Sequence, residues 1–192
     1  MFGFDPTVQR GRFALDFIGT NKIILDVGCA TGDFAKQFKE AGNKVYGVDI
    51  DQEYLKVAKD NCDKIYKYDV RKGLKFKSGK FDIIFAGEFI EHLTEEEGVM
   101  FLKRCKIVLK WEGLLILTTP NTSFIKHMII KTNTTDKQDH KKCYNPKELK
   151  ELVSKAGFKV KALKGLGIME HLIGSKWPLF CYGDIGIVAI NC

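Results

Sequence analysis

Short apolar runs alternate along this chain with longer amphipathic stretches, from one end to the other. The runs are Lys22 to Val27, Lys44 to Val48, Lys64 to Tyr68, Phe81 to Phe85, Leu114 to Thr118, Phe158 to Leu163 and Ile185 to Ile190. Strand-length runs separated by helical periodicity predict a parallel sheet with crossover helices. The helices have readable ends. Asp5-Pro6 offers a cap and a first-turn proline, and Gly19 closes that helix, placed over residues 1–20. Thr94 and Glu97 are spaced as a capping box for a helix ending near Lys110. Asn145-Pro146-Lys147-Glu148 opens a later helix that Ala156-Gly157 ends. Between the last two runs lies only a turn-rich segment, Gly165 to Tyr182, so they are expected to pair antiparallel. The predicted fold is therefore α/β: a doubly wound seven-stranded sheet, mostly parallel with the last strand antiparallel, and helices on both faces.

Composition narrows the class. At 192 residues, with no repeat, low-complexity tract or Pro/Ser-rich linker, residues 1–192 are expected to form one domain. A hydrophobic share of 45% against 29% charged supports a real core and excludes a disordered, collagen-like or disulfide-stapled chain. No stretch approaches the ~18 uncharged apolar residues of a membrane span. The start, MFGFDPTVQRGRFALDFIG, carries acids where a signal peptide is apolar. A cytoplasmic protein that does not enter membranes is expected. The six cysteines show no CxxC and no zinc-cage spacing, and are read as reduced thiols.

The formal charge of +7 is concentrated in two zones. Lys131 to Lys164 holds ten lysines against four acids, and Arg71 to Lys80 holds five basic residues and no acid. Such zones either solubilise a surface or attract an anionic substrate or RNA, and no interleaved aromatics decide for RNA.

The stretch Ile23 to Phe34 carries the chemistry. A buried strand runs into the turn Gly28-Cys29-Ala30-Thr31-Gly32 and then into a helix. Gly28, Ala30 and Gly32 would let a ligand approach the backbone. Ligands of open α/β sheets sit beyond the carboxyl ends of the strands at the topological switch point. Asp49 ends the second strand 21 positions after Gly28, in register for a carboxylate that accepts from two vicinal ribose hydroxyls. Ala30 and Asp33 depart from the G-x-G-x-x-G dinucleotide turn, and no GK[ST] phosphate loop follows. Asp33 would repel a pyrophosphate at the helix start. A cationic, phosphate-free nucleoside fits better.

At these residues the sequence resembles the class I S-adenosylmethionine-dependent methyltransferases, through ILDVGCATG and VYGVDID and then, in order, Tyr66 to Val70, Phe81 to Glu88, Leu117 to Asn121 and Asn145 to Val160. The resemblance runs from Arg10 to the end and implies a Rossmann-like fold. It implies that Asp26 and the Gly28, Cys29, Ala30 and Gly32 turn face the methionine moiety and that Asp49 holds the ribose. Ile50 would pack on adenine, Asp69 would accept from its amine, Val70 would meet the ring edge, and Gly87 would lie beside the sulfonium. An arginine upstream of the first strand would meet the cofactor carboxylate: Arg12, with Arg10 as the alternative.

On the substrate side, Glu88-Phe89-Ile90-Glu91-His92 would gather Glu88, Glu91 and His92 on one helical turn. In many family members a similar run is structural. Quinone-biosynthesis O-methyltransferases, a branch this chain is similar to, and small-RNA terminal 2′-O-methyltransferases use it with a divalent metal, and the second branch also has an Asp-His-Lys run such as Asp139-His140-Lys141. The candidate catalytic residues are thus His92, His140 and Glu91. Either histidine could act as a base, or Glu88, Glu91, His92 and His140 could ligate Mg, Mn or Zn. His127 is read as packing or surface, and His171 lies in an uninformative turn region.

The insertion Asn121 to Tyr144 is expected to cover the methyl donor and choose the substrate. The expected activity is methyl transfer to oxygen or nitrogen of a small-molecule acceptor, by a monomer or homodimer. Alternatives are an RNA methyltransferase of the terminal ribose 2′-O type and a cofactor-binding domain without catalysis.

Overall fold

The computed structural model describes residues 5–123, 140–167 and 183–192. Its elements in order are α1 (Pro6–Ile18), β1 (Ile23–Val27), α2 (Asp33–Glu40), β2 (Lys44–Asp49), α3 (Gln52–Asn61), β3 (Lys64–Lys67), β4 (Phe81–Gly87), α4 (Glu95–Val108), β5 (Leu109–Pro120), α5 (Pro146–Lys155), β6 (Lys159–Leu166) and β7 (Asp184–Ile190). Short 3₁₀ turns lie at Val70–Lys72 and Ile90–His92.

The seven strands form one sheet in the order β3-β2-β1-β4-β5-β7-β6. Pairing is parallel from β3 to β5, and β7 runs antiparallel to both β5 and β6. The order reverses between β1 and β4, so the crevice opens where their carboxyl ends splay apart. The antiparallel register sets Asp184, the first residue of β7, opposite Pro120, the last of β5. An acid is thereby delivered to the edge where the parallel strands end.

Local chemistry explains the ends. Asp5 accepts the Thr7 amide at 2.8 Å. Thr94 with Glu97, and Asn145 with Glu148, close complete capping boxes, each satisfying two otherwise orphaned amides. Two apolar layers cover the sheet. One centres on Leu25, Ile84, Phe101, Leu115, Tyr144 and Leu149, the other on Phe13, Ile24, Phe38, Phe85 and Val188.

The sheet departs from expectation between β4 and β5. The helix expected to reach Lys110 stops at Val108, and β5 starts at Leu109 rather than at Leu114. Phe81 pairs with Leu109 but Ile83 with Leu114, so Lys110 to Gly113 bulge out, with Glu112 left-handed at φ 60°. Most of the 121–144 insertion, His127, His171 and residues 168–182 of the turn-rich segment lie outside the described residues, while Gly165 and Leu166 end β6. Among the described residues no helix is long and apolar enough to cross a membrane.

Candidate active site

The turn after β1 is held by its own backbone. Gly28 and Cys29 donate to the Val48 carbonyl at 2.9 and 3.2 Å, and Gly32 donates to the Cys29 carbonyl at 2.7 Å. Ala30 donates to Oδ2 of Asp49 at 2.9 Å, and Asp51 to its Oδ1 at 2.9 Å. Each Asp49 oxygen keeps a second lone pair for a hydroxyl donor. Beyond the tips of β1, β2 and β4 lies a cavity of about 510 Å³. Gly28, Asp49, Ile50, Asp69 and Val70 line it, together with Glu88 and His92. Ile50 is 58% exposed there, an apolar side chain left free to meet a flat ring.

Other anticipated residues sit differently. Arg12 is exposed and does not line the cavity, whereas Arg10 reaches Glu88 at 3.0 Å and Asp184 at 2.9 Å. Arg10, Ala14 and Ile18 are spaced by four residues on the packed side of α1, and that spacing is the signal that distinguishes Arg10 from Arg12. The Cys29 side chain turns inward. A Cβ on Gly47 would meet the thiols of both Cys29 and Cys62 at 2.8 Å, and the Cys29 thiol is pushed up first by its hydrogen bond to Cys62 and then by burial. Gly32, at φ 82°, is glycine for a packing reason: a Cβ there would lie 2.8 Å from Cβ of Asn61 and 3.3 Å from Cα of Ala58. Asp69 is taken on both oxygens by Arg71, at 2.8 to 3.1 Å, and this hydrogen-bonded pair holds its carboxyl below the usual range. A Cβ on Gly87 would meet the rings of Phe85 and Phe34.

Asp26 is 1% exposed, and its Oδ2 has no hydrogen-bond partner among the described residues. Burial, reinforced by the charges of Asp49 and Asp33, pushes its pKa up to about 7. A buried acid with an open oxygen at the end of β1 suits an ammonium group, which would satisfy the oxygen and restore the charge. The residues that line the crevice therefore fit the nucleoside half of S-adenosylmethionine, while Asp26, the candidate for its ammonium, is buried and does not itself line the cavity.

The Glu-x-x-Glu-His run is not one helical turn. Glu88 adopts φ 51°, outside the short Ile90–His92 turn, and its pKa is raised to about 8 by burial and by the charge of Glu91, with Arg10 opposing. Glu91 makes different contacts. It is 1% exposed, its Oε2 accepts the Thr119 hydroxyl at 2.9 Å, and burial raises its pKa. The main-chain oxygen of Glu91 accepts the amides of Lys141 and Lys142 at 2.9 and 3.1 Å. That fastening brings His140 beside His92, with ring centroids 5.0 Å apart. One ligand atom each from Glu91, His92 and His140 lie within 4.8 Å of one another. Glu88 is not in that group. Sequence reasoning missed Thr119 and the Arg10–Asp184 pair, both tertiary contacts across the sheet's edge.

A doubly wound sheet with this acid-tipped crevice at its switch point defines a nucleoside-binding α/β protein. The profile of the methyltransferase domain family matches residues 25–117. The ubiquinone biosynthesis O-methyltransferase of Bartonella quintana (strain Toulouse) is 28% identical over 170 residues, covering 82% of this chain and 67% of that protein. The enzyme of the same name from Haemophilus ducreyi is 27% identical over 182 residues, covering 85% and 73%. Among solved structures, a SAM-dependent methyltransferase from Archaeoglobus fulgidus superposes with a TM-score of 0.72 at 25% identity, covering 96% of this chain and 92% of that one. Along most of its length the chain is thus similar to class I S-adenosylmethionine-dependent methyltransferases. It is an enzyme of methyl transfer, and its Rossmann-like sheet is that of the family.

Proposed function

We propose that the enzyme methylates a hydroxyl oxygen of a small-molecule acceptor, and that Glu91, His92 and His140 manage the proton this oxygen gives up. The observation that carries the reading is the convergence of those three side chains within 4.8 Å beside the cavity that His92 lines. S-adenosylmethionine supplies an electrophilic methyl group. This chain's work is to seat the donor, orient the acceptor and take its proton. Asp49 would hold the ribose hydroxyls, Ile50 and Val70 the adenine, and Asp26 the ammonium. The relatives' naming as O-methyltransferases supports oxygen as the acceptor atom.

The cluster also fits a divalent cation. A carboxylate and two imidazoles converge, and Oε1 of Glu91 is buried without a hydrogen-bond partner among the described residues. A cation there would satisfy that oxygen and acidify an acceptor hydroxyl bound to it. Without it, the His92 or His140 imidazole is itself a nitrogen able to accept the acceptor's proton. The free thiols of Cys29, Cys62 and Cys105 suit the reducing cytoplasm as the site of action.

Release of S-adenosylhomocysteine, measured with a panel of hydroxylated small molecules and with RNA, tests the reading. Turnover with hydroxylated small molecules and none with RNA is expected. Turnover with RNA alone, or with amines alone, would overturn it.

A further inference from the structure

The basic zone from Arg71 to Lys80 divides between the two ends of the sheet. Arg71 lines the crevice at the carboxyl ends of the strands, whereas Lys80 directly precedes β4 at the amino end. Two further lysines meet it there, because Lys44 is the first residue of β2 and Lys64 the first of β3. The parallel register sets Lys64 beside Tyr46, and the period of two puts Lys44 with Tyr46, and Lys64 with Tyr66, on one face of the sheet. The Nζ atoms of Lys80, Lys64 and Lys44 lie 4.3, 5.6 and 6.0 Å from the centroid of the Tyr46 ring. Lys80 also lies 4.6 Å from the Phe76 ring and 5.1 Å from that of Phe81, and its amide is tied to the Val108 carbonyl at 2.9 Å.

Three ammonium groups around one ring repel one another, and no carboxylate offsets them. Among the described residues none of the three forms an ion pair. The neighbouring acids are engaged elsewhere: Asp63 accepts the Val45 amide at 2.7 Å, and Asp82 holds Lys110 at 2.7 Å and the Ile23 amide at 2.8 Å. Burial lowers the pKa of Lys80, and the charges of Lys64 and Lys44 lower it further. The ring faces offset part of this repulsion but cannot bridge three charges. A multivalent oxyanion can, since each ammonium offers donors to a phosphate oxygen. Tyr46 and Phe81 are buried and offer no platform for a stacked base, so a compact anion suits the cluster better than single-stranded RNA. We propose that Lys44, Lys64 and Lys80 form a second binding site, at the edge of the sheet opposite the methyl-transfer crevice, for a compact multivalent anion of the pyrophosphate class.

Inorganic pyrophosphate is the probe. It is titrated by calorimetry, at fixed ionic strength and in metal-free buffer, into the enzyme saturated with S-adenosylhomocysteine, so that the crevice is filled. Lys64→Met and Lys80→Met should each weaken its binding by ~10-fold or more, the scale of one lost charged contact. Lys150→Met, the same change of charge on the exposed side of α5, should leave the affinity intact. Circular dichroism confirms that each variant is folded, and Lys64, exposed on the edge strand, carries the test should Lys80→Met misfold. Equal weakening in all three variants would reduce the binding to general charge attraction and overturn the site, as would no binding of pyrophosphate at all. Salt-dependent binding of single-stranded RNA that the same two variants lose, without pyrophosphate binding, would overturn the compact anion and assign the edge to RNA.

Discussion

Oδ2 of Asp49 accepts the Ala30 amide at 2.9 Å, and that bond ties the turn after β1 to the tip of β2. The carboxylate thus builds the crevice as well as lining it. Asp49→Ala should weaken S-adenosylmethionine binding by ~2 kcal/mol or more, since a charged acceptor of hydroxyl donors is lost and the turn loses its anchor. Isothermal calorimetry reads this as an affinity drop of roughly 30-fold. NADH should not compete in the wild type; unchanged affinity in Asp49→Ala would place the ribose elsewhere.

Gly32→Val tests packing rather than ligand access. A side chain there adopts φ 82° and collides with Asn61 and Ala58 of α3. Left-handed backbone and overpacking together should cost about 3 kcal/mol of stability. Urea unfolding should show a lowered midpoint with an unchanged slope. A fully stable variant that has merely lost cofactor binding would restore the ligand-approach expectation drawn from the turn's sequence.

How much was legible follows from how local each signal is. The caps at Thr94/Glu97 and Asn145/Glu148 are written within four residues, and the Gly28 to Gly32 turn and Asp49 within one βαβ unit, so both were read correctly as to position. The bulge at Lys110 to Gly113 was not, because a helix-to-strand change without a Pro stop leaves no local mark. Gly32 looked like a ligand contact because sequence cannot show that Asn61 and Ala58 stand against it. The meeting of His92 with His140 was posed through a resemblance, yet Glu88 leaves the group for Arg10, a choice made by α1 and β7 together.

Asp26 makes stability and binding depend on pH. Its carboxyl titrates at about 7 in the folded chain against an ordinary 3.8. Between those values the native state holds the extra proton, so this group's contribution to stability is complete below pH 3.8 and is lost as pH rises through about 7. Asp26→Asn should therefore flatten the fall of the melting temperature across that window. A cationic ligand favours the carboxylate, so wild-type S-adenosylmethionine binding should release a proton and tighten as pH rises through about 7. Calorimetry in buffers of different ionisation enthalpy counts that proton; no release would separate Asp26 from the ammonium.

His92→Ala and His140→Ala should each lower turnover by ~100-fold while cofactor affinity stays near wild type. The rings stand 5.0 Å apart, close enough to serve one acceptor. Because Thr119 bonds to Oε2 of Glu91 and does not line the cavity, Thr119→Val should lower turnover by a smaller factor. Initial rates and calorimetry on the same preparations separate the two effects. Equal loss of binding and rate would make the pair structural.

Arg10 and Arg12 stand two positions apart on α1 and should behave oppositely. Arg10 lies between Glu88 and Asp184, at 3.0 and 2.9 Å, with all three side chains at most 25% exposed. Removing it leaves two acids crowded at the sheet's edge, beside Glu91, without their counter-charge. Both are already raised by burial, and Arg10 is what opposes the rise. Arg10→Ala should therefore destabilise the fold by roughly 2–3 kcal/mol, less than a fully buried pair would lose. The loss should be greater at pH 8 than at pH 5, because the Glu88 pKa of about 8 rises further and ionising the acid costs more. Arg12 is exposed and does not line the cavity, so Arg12→Ala should change neither melting temperature nor cofactor affinity. Cofactor affinity in Arg10→Ala carries the remaining question. If the cofactor carboxylate meets Arg10, affinity falls beyond what unfolding explains, and Arg10→Lys restores part of it by returning the charge without the fork. A silent Arg10 together with a damaging Arg12 would reverse the assignment and put the outer face of α1 over the crevice.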